Sequence, residues 1–330
     1  MAEGSYPKVS IIVASYNSAD TIGECLKSIL TLDYPAGYVE VIVMDGVSKD
    51  DTVKIAEQFP IKVISIKLNA PAAYNYAQKI AAHEILGFID ADAKVEQEWL
   101  KKLVPHLAEP QVVGVSGSIE TWNSKNPWAR SIGYELKSRY RRIGKYTGRI
   151  ATMNLLLKKS VIEEVGGWDE KLPSQYDTDF GFRMATKGYR IAYEPAAICY
   201  HYNRPTLKAY YRQQLQYGKN TLKLYFKHGH LAKGDEITDV GMNIQPVLLL
   251  GVVVLFFLGI VPTLRLLWIG PLIILLGMLL YFVYSAAKIS AKFHDWSAMR
   301  LVMLYFVRSA AWFDGAVTIT LQYLTGRDKQ

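Results

Sequence analysis

From Val240 to Leu264 no residue is charged, and after Arg265 none is charged from Leu266 to Ala287. At about 1.5 Å per helical residue, each run is long enough to cross a hydrocarbon core of about 30 Å. Only Pro262–Leu266 and Pro271 interrupt them, so a tight hairpin of membrane helices, about 240–264 and 266–287, is the simplest fold for this part. A third apolar stretch, about 299–324, contains Arg308 and Asp314. Ionisable groups are costly at mid-bilayer, so this stretch is expected to lie in the interface or re-enter, keeping Arg327 and Lys329 cytoplasmic. A third span with both charges facing inward is the alternative.

The chain of 330 residues carries a net charge of +8. From Pro195 to Gly234 stand Arg204, Lys208, Arg212, Lys219, Lys223, Lys227 and Lys233, with no acidic residue among them. Such a block just before the apolar third fits a juxtamembrane helix facing anionic lipid better than nucleic acid. With Lys288, Lys292 and Arg300 it places the catalytic part on the cytoplasmic side of a multi-pass cell-membrane protein. Met1–Lys8 is polar and shows no secretory signal. Cys25 and Cys199 lie far apart without metal-ligand spacing, which fits a reducing compartment. The organisation expected is a nucleotide-sugar domain over 1–203, a basic interfacial helix over 204–235 and a membrane domain over 236–330.

The first part alternates β-branched runs with helical stretches. Strands are expected at Val9–Ala14, Val39–Met44, Ile61–Ile66 and Ile85–Ile89, with helices from about Ala19, at Thr52–Gln58 and at Pro71–Ala82. Short connections predict an α/β fold, a mostly parallel sheet with helices on both faces. Further strands are expected at Val112–Ser116, Ala151–Leu157, Ile191–Glu194 and Ala197–Tyr200. Helices are expected at Val95–His106, Pro127–Arg142, Lys158–Val165, Phe180–Lys187 and Pro205–His228, and a loop at Ser118–Lys125.

Ile85–Ile89 runs into Asp90-Ala91-Asp92. In open α/β sheets ligands bind beyond the carboxyl ends of strands. Two hard oxygen donors there suit Mg²⁺ or Mn²⁺, ions that commonly hold substrate phosphates. Taken alone, Asp-x-Asp is a weak motif, and a solvated Asp-rich turn capping the helix near Val95–His106 is the favoured reading; the surrounding order of elements reverses this.

The order of several motifs resembles family 2 glycosyltransferases. Val9–Asn17 looks like their opening strand and Val41–Thr52 their second nucleotide-binding segment. Asp90-Ala91-Asp92 matches their Asp-x-Asp. Val165–Glu170 and Asp177–Arg183 match acceptor-side segments. The resemblance covers roughly 7–218 and implies a GT-A, Rossmann-like fold. It assigns Ala14, Tyr16, Asn17, Asp45, Asn75 and Asp90 to the nucleotide, and Asp92, with Asp90 and His201, to the metal. It makes Asp177 the general base. Trp122, Trp168, Tyr176, Arg212 and Gln213 fall on the acceptor or diphosphate side.

Three departures from the family pattern stand out. Tyr74 precedes Asn75 where an Arg is usual, Tyr176 precedes Asp177 where Glu is common, and the arginine of Arg212–Tyr217 is displaced. Asp179 and Arg183, four apart, read as a structural ion pair. The one-domain layout with a C-terminal hairpin resembles succinoglycan-type exopolysaccharide glucosyltransferases. The resemblance implies an inverting, metal-dependent hexosyltransferase using a UDP- or GDP-hexose, and the membrane third implies a lipid-linked acceptor. The alternatives are a polyprenyl-phosphate hexose synthase and a non-catalytic sugar-nucleotide-binding membrane protein.

Overall fold

Strand β1 (Val9–Ser15) sends Ile11 and Val13 to one face of a sheet and Ile12 to the other, and all three are fully buried. A strand with apolar residues on both sides needs helices on both faces. The computed structural model describes Tyr6–Thr325, apart from the side chains of His230 and Leu231. Arg327, Lys329 and the start of the Met1–Lys8 stretch lie outside the described residues.

The remaining strands are β2 (Val39–Asp45), β3 (Lys62–Ser65), β4 (Ile85–Asp90), β5 (Ala93–Val95), β6 (Val112–Thr121), β7 (Tyr146–Thr147), β8 (Leu155–Lys158) and β9 (Arg190–His201). The sheet order is β3-β2-β1-β4-β8-β6-β9-β5, with β7 on β9. The strands β3, β2, β1, β4, β6 and β9 run one way, and β5, β7 and β8 run against them. The sheet is therefore mixed: its first four strands are parallel, and β8 reverses direction between β4 and β6.

The helices of this part are α1 (Ile22–Leu30), α2 (Thr52–Ala56), α3 (Ala70–Ile80), α4 (Trp99–Leu103), α5 (Pro127–Tyr140), α6 (Lys159–Val165) and α7 (Tyr176–Thr186). Helices α1 and α4 cover one face through Ile22, Leu26, Trp99 and Leu103. Helices α3, α6 and α7 cover the other through Tyr74, Ala77, Ile162 and Phe180. Local signals start and stop them. Asn69 accepts from the Ala72 amide at 3.1 Å to cap α3, and α6 ends at Gly166 with φ +90°.

Several boundaries differ from the sequence reading. The helix expected at Val95–His106 starts only at Trp99, because Val95 belongs to strand β5, which pairs with β9. The expected Ser118–Lys125 loop is strand as far as Thr121, and the two short strands after Gly188 are one strand. A register shift after Gly117 absorbs the Pro195 region. The residues Thr152–Asn154 form a 3₁₀ turn instead of the start of a strand.

The chain divides into two compact units, residues 1–122 with 140–202, and residues 123–139 with those from 203 on. The second unit contains most of α5 together with α8 (Leu207–Lys227), α9 (Val240–Asn243), α10 (Gln245–Leu258), α11 (Ile269–Phe293) and α12 (Leu301–Leu324). Among the described residues, Val240–Leu258, Pro262–Phe293 and Trp296–Leu324 are long and apolar enough to cross a membrane. The first expected run stops at Leu258, and Pro262–Trp268 is a 3₁₀ turn.

The charges that argued against a third span have partners. Arg308 donates to Glu135 of α5 at 2.6 Å, and Tyr211 of α8 donates to Asp314 at 2.6 Å. Arg308 and Glu135 are both buried. Paired with a carboxylate inside the helical unit, Arg308 no longer counts against spanning, whereas Asp314 keeps its charge on an exposed position with one neutral donor.

Candidate active site

Register builds the site. Ser15 at the end of β1 lies opposite Asp45 at the end of β2, and Asp45 lies opposite Ser65 at the end of β3. Ala14 pairs with Asp90 at the end of β4, and His201, closing β9, pairs with Ala93 and Thr121. Parallel strands ending at one level therefore gather Asp45, Asp90 and His201 along one edge.

Asp45 is buried and fully engaged within the protein. Its Oδ1 accepts from the Ser15 hydroxyl at 3.2 Å and from the Ser48 hydroxyl. Its Oδ2 accepts from the Ser48 amide at 2.8 Å and the Ser65 hydroxyl at 3.0 Å. A carboxylate offers about four lone-pair sites. To receive a base edge, Asp45 has to release one serine hydroxyl.

The loops after β1 and β2 are tied to each other. The Asn17 amide donates to Ser48 Oγ and the Lys49 amide to Asn17 Oδ1, each at 2.8 Å. Asn17 and Val47 both adopt positive φ, 50° and 63°. For β-branched Val47 that is a strained conformation of the kind found at functional loops. Tyr16 is 58% exposed beside Gly46, an open aromatic face on this rim.

Asp90 and Asp92 meet different partners, as alternation along an extended chain requires. Asp90 accepts from the Tyr74 hydroxyl at 3.2 Å and the Thr152 hydroxyl at 3.3 Å, and Thr152 in turn meets the Tyr176 hydroxyl at 3.3 Å. Asp92 lies 3.5 Å from His201 Nε2. Burial, and then the charges of Asp92 and Asp177, push Asp90 up to about 6, while His201 opposes the shift. Asp90, Asp92, Asp177 and His201 thus form one electrostatic cluster.

Asp177 stands in the first turn of α7, after Gln175 in a left-handed conformation. It accepts from the Thr178 amide at 2.8 Å. Burial raises its pKa above the usual carboxylate value, and Arg149 partly offsets this. The fourth residue on from Asp179, Arg183, pairs with it at 2.8 Å and donates to the carbonyls of Val165 and Gly167, so this pair is structural, as expected.

Asn75 and Trp168 both face inward contacts, and for Trp168 these correct the expectation. Both amide atoms of Asn75 are engaged: Oδ1 accepts from the Trp168 amide at 2.8 Å, while Nδ2 donates to the Trp168 carbonyl and to Glu170. In this structure Asn75 ties α3 to the Gly166–Glu170 loop, and to meet a nucleotide it has to release one of these bonds, as Asp45 does. A side chain at Gly167, where φ is +73°, would meet Asn75 Oδ1 at 2.8 Å. Trp168 is 2% exposed and stacks on Phe180 at 4.3 Å, with Tyr74, Phe88 and Tyr176 around it. It cannot present a face to a sugar; its ring is the core under the site.

Trp122 directly follows β6 beside His201, whose carbonyl accepts from the Trp122 amide at 2.9 Å, and Lys94 lies 4.7 Å over its ring. The cluster is built without Arg212 and Gln213, which α8 carries in the second unit. Sequence reasoning missed Thr152 and Arg149, and it read Tyr74 only as a lost cation. No motif marks the first two, because they enter through the turns around β7 and before β8.

Among the described residues no group of three or more His, Cys, Asp or Glu side chains is placed to hold a metal ion by itself. Mg²⁺ and Mn²⁺ sites commonly use one or two carboxylates and take further oxygens from phosphate and water. Asp92 with His201, beside Asp90, fits such an open site.

Comparison with known proteins bears on the family and the fold. Residues 10–166 match Glycosyl transferase family 2. Glycosyltransferase AglE of Haloferax volcanii is 27% identical over 228 residues, covering 66% of this chain and 74% of that protein. The probable glycosyltransferase YdaM of Bacillus subtilis is 29% identical over 239 residues, covering 67% of this chain and 57% of its own length. A mannosyltransferase, PcManGT of Pyrobaculum calidifontis, solved with GDP-Man and Mn²⁺, superposes with a TM-score of 0.59 at 20% identity. It covers 96% of this chain and 88% of its own. At that identity the likeness is one of fold, and the fold is GT-A-like.

Proposed function

We infer that this chain, a glycosyltransferase with a glycosyl transferase family 2 domain over residues 10–166, moves a hexose from a nucleotide sugar to a lipid-linked acceptor at the cytoplasmic face of a membrane. The observation that carries the reading is the convergence of Asp90, Asp92, His201 and Asp177 at the carboxyl edge of the sheet. Mannosyltransferase PcManGT, solved with GDP-Man and Mn²⁺, makes GDP-hexoses as reasonable to test as UDP-hexoses. The three apolar helices support membrane anchoring.

Each residue has a role its chemistry allows. Asp92 and His201 would hold a divalent ion, with Asp90 on its ribose side. That ion would supply Lewis-acid stabilisation of the departing diphosphate, worth roughly several kcal/mol. Asp177 takes the proton from an acceptor hydroxyl as that oxygen bonds to the anomeric carbon. The bond from this carbon to the diphosphate oxygen breaks, and one displacement inverts the configuration. The raised pKa of Asp177 brings it closer to the range where a base works at neutral pH. Tyr16, Asn17 and Ala14 line the rim on which the nucleoside rests, with Asp45 beneath it. Trp122 is the aromatic face on the acceptor side.

The test is nucleoside diphosphate release from UDP- and GDP-hexoses with Mn²⁺, with and without lipid acceptors, on wild type and Asp177→Asn. A hydroxyl acceptor predicts a loss of roughly 10²–10⁴-fold in the variant. Near-normal turnover would mean that the acceptor is a phosphate and needs no base.

A further inference from the structure

The basic block of the sequence has no part in the chemistry above. It forms α8, a helix that carries Lys208, Arg212, Lys219, Lys223 and Lys227 and has no acidic residue of its own. On this helix Gly218, Thr221, Leu222 and Tyr225 line a cleft of about 380 Å³ between α8, α10 and α12. Their spacing of three, one and three residues is one face of an α-helix. Across from them stand Val247 and Leu250 of α10 and Phe313, Val317 and Leu321 of α12.

The cleft belongs to a rigid helix pair. A Cβ at Gly218 would come within 2.7 Å of the Trp312 backbone, and one at Gly315 within 2.8 Å of Leu215 O and Lys219 N. The backbones of α8 and α12 touch there, and Trp312 Nε1 donates to Gln214 Oε1 at 3.0 Å. The lining is almost wholly apolar. Such a space does not hold ordered water. Two of its three walls, α10 and α12, lie in stretches suited to crossing a bilayer. Lys219 and Lys223 each follow a lining residue by one position, about 100° further round α8, which sets two cations along the cleft's flank.

We propose that this cleft seats one hydrocarbon chain of a phosphate-bearing single-chain lipid, with Lys219 and Lys223 facing its anionic head. The volume admits a stretch of one chain, and the positive charge of α8 selects an anionic head over a neutral or zwitterionic one. The inference deepens the reading above, since it names where a lipid-borne acceptor is held, and rests on it for the ligand's purpose.

The test uses the full chain in detergent micelles and a diazirine-bearing polyprenyl monophosphate, with labelled peptides mapped by mass spectrometry. The expected labels fall on the cleft-lining peptides of α8, α10 and α12. Unlabelled polyprenyl monophosphate reduces them at least tenfold, whereas phosphatidylcholine, inorganic phosphate and neutral polyprenol at the same concentration do not. The double substitution Lys219→Gln/Lys223→Gln raises the competitor concentration needed about tenfold. Val317→Trp fills the cleft and abolishes labelling there. Equal protection by phosphatidylcholine or by polyprenol would reduce the cleft to a space for annular lipid and overturn the proposal, as would labelling that Val317→Trp leaves unchanged. Labelling needs no turnover. Specific labelling without glycosyl transfer would sink the catalytic reading alone, and transfer without specific labelling would sink this one alone.

Discussion

The strand-end cluster of the first unit and the polar pairs of the second, the buried Arg308–Glu135 and the exposed Asp314–Tyr211, treat charge in opposite ways. In the helical unit Arg308 and Asp314 of α12 each have a dedicated partner: Arg308 has Glu135, and Asp314 has the Tyr211 hydroxyl. In the first unit Asp90 at the end of β4, Asp92 just after it and Asp177 of α7 act on one another, and burial with mutual repulsion raises Asp90 to about 6. The first arrangement lowers the energy of the fold. The second raises it, and persists because the sheet and its helices over-determine the backbone that carries it. A region whose acids repel is poised to receive a cation, whereas one whose charges are matched has no such capacity.

That contrast can be broken by exchanging charge for neutral isosteres. Asp92→Asn should lower turnover by roughly 10³-fold, several kcal/mol of leaving-group stabilisation at 1.36 kcal/mol per decade. The melting temperature should hold or rise, because a repulsion is relieved; a clear fall in melting temperature would mean that Asp92 is a structural residue. Glu135→Ala should do the reverse. It strands Arg308 and should cost about 3–5 kcal/mol of stability. The double variant Glu135→Leu/Arg308→Met should recover most of the loss, and thermal unfolding in detergent would read both.

Smaller effects sharpen the contrast. Tyr74→Phe removes one hydroxyl from Asp90 while keeping the buried ring, and should raise the Mn²⁺ concentration for half-activity about tenfold, the usual scale for a supporting partner. An unchanged metal requirement would show that Tyr74 serves packing alone. The gentlest test is pH. A carboxyl whose folded pKa is raised binds a proton in the folded state that the unfolded chain lacks, so Asp90 adds stability as pH falls from about 6 towards its ordinary 3.8. Over the same descent Asp177 gains its proton above the usual carboxylate range and ceases to act as a base. Activity should therefore decline while the melting temperature of the first unit rises. Parallel decline of both would remove the proposed repulsion.

Much of this is legible in the chain. Strands β1, β2 and β4 are visible as apolar runs, and the acids Asp45 and Asp90 where two of those runs stop mark the carboxyl edge at which ligands bind in open α/β sheets. The pairing of Asp179 with Arg183 follows from helical spacing. The place of Trp168 is not legible, because an aromatic beside Gly166-Gly167 looks the same whether it faces solvent or Phe180. Nor is that of Asn75, because its partners, Trp168 and Glu170, are more than ninety residues away. The short β5 is not legible either, since its pairing with β9, a strand some hundred residues on, is what makes Ala93–Val95 extended.

Periodicity and composition alone determined the α/β alternation, the acidic strand ends, the basic helix and the apolar third, since these depend on neighbours a few residues apart. Tertiary structure decided which side chains share an electrostatic field, where β8 reverses the sheet, and that Arg308 and Asp314 would be matched by Glu135 and Tyr211. Those outcomes depend on groups far apart in sequence and close in space, and the free energy of a buried charge is set by whatever packs against it.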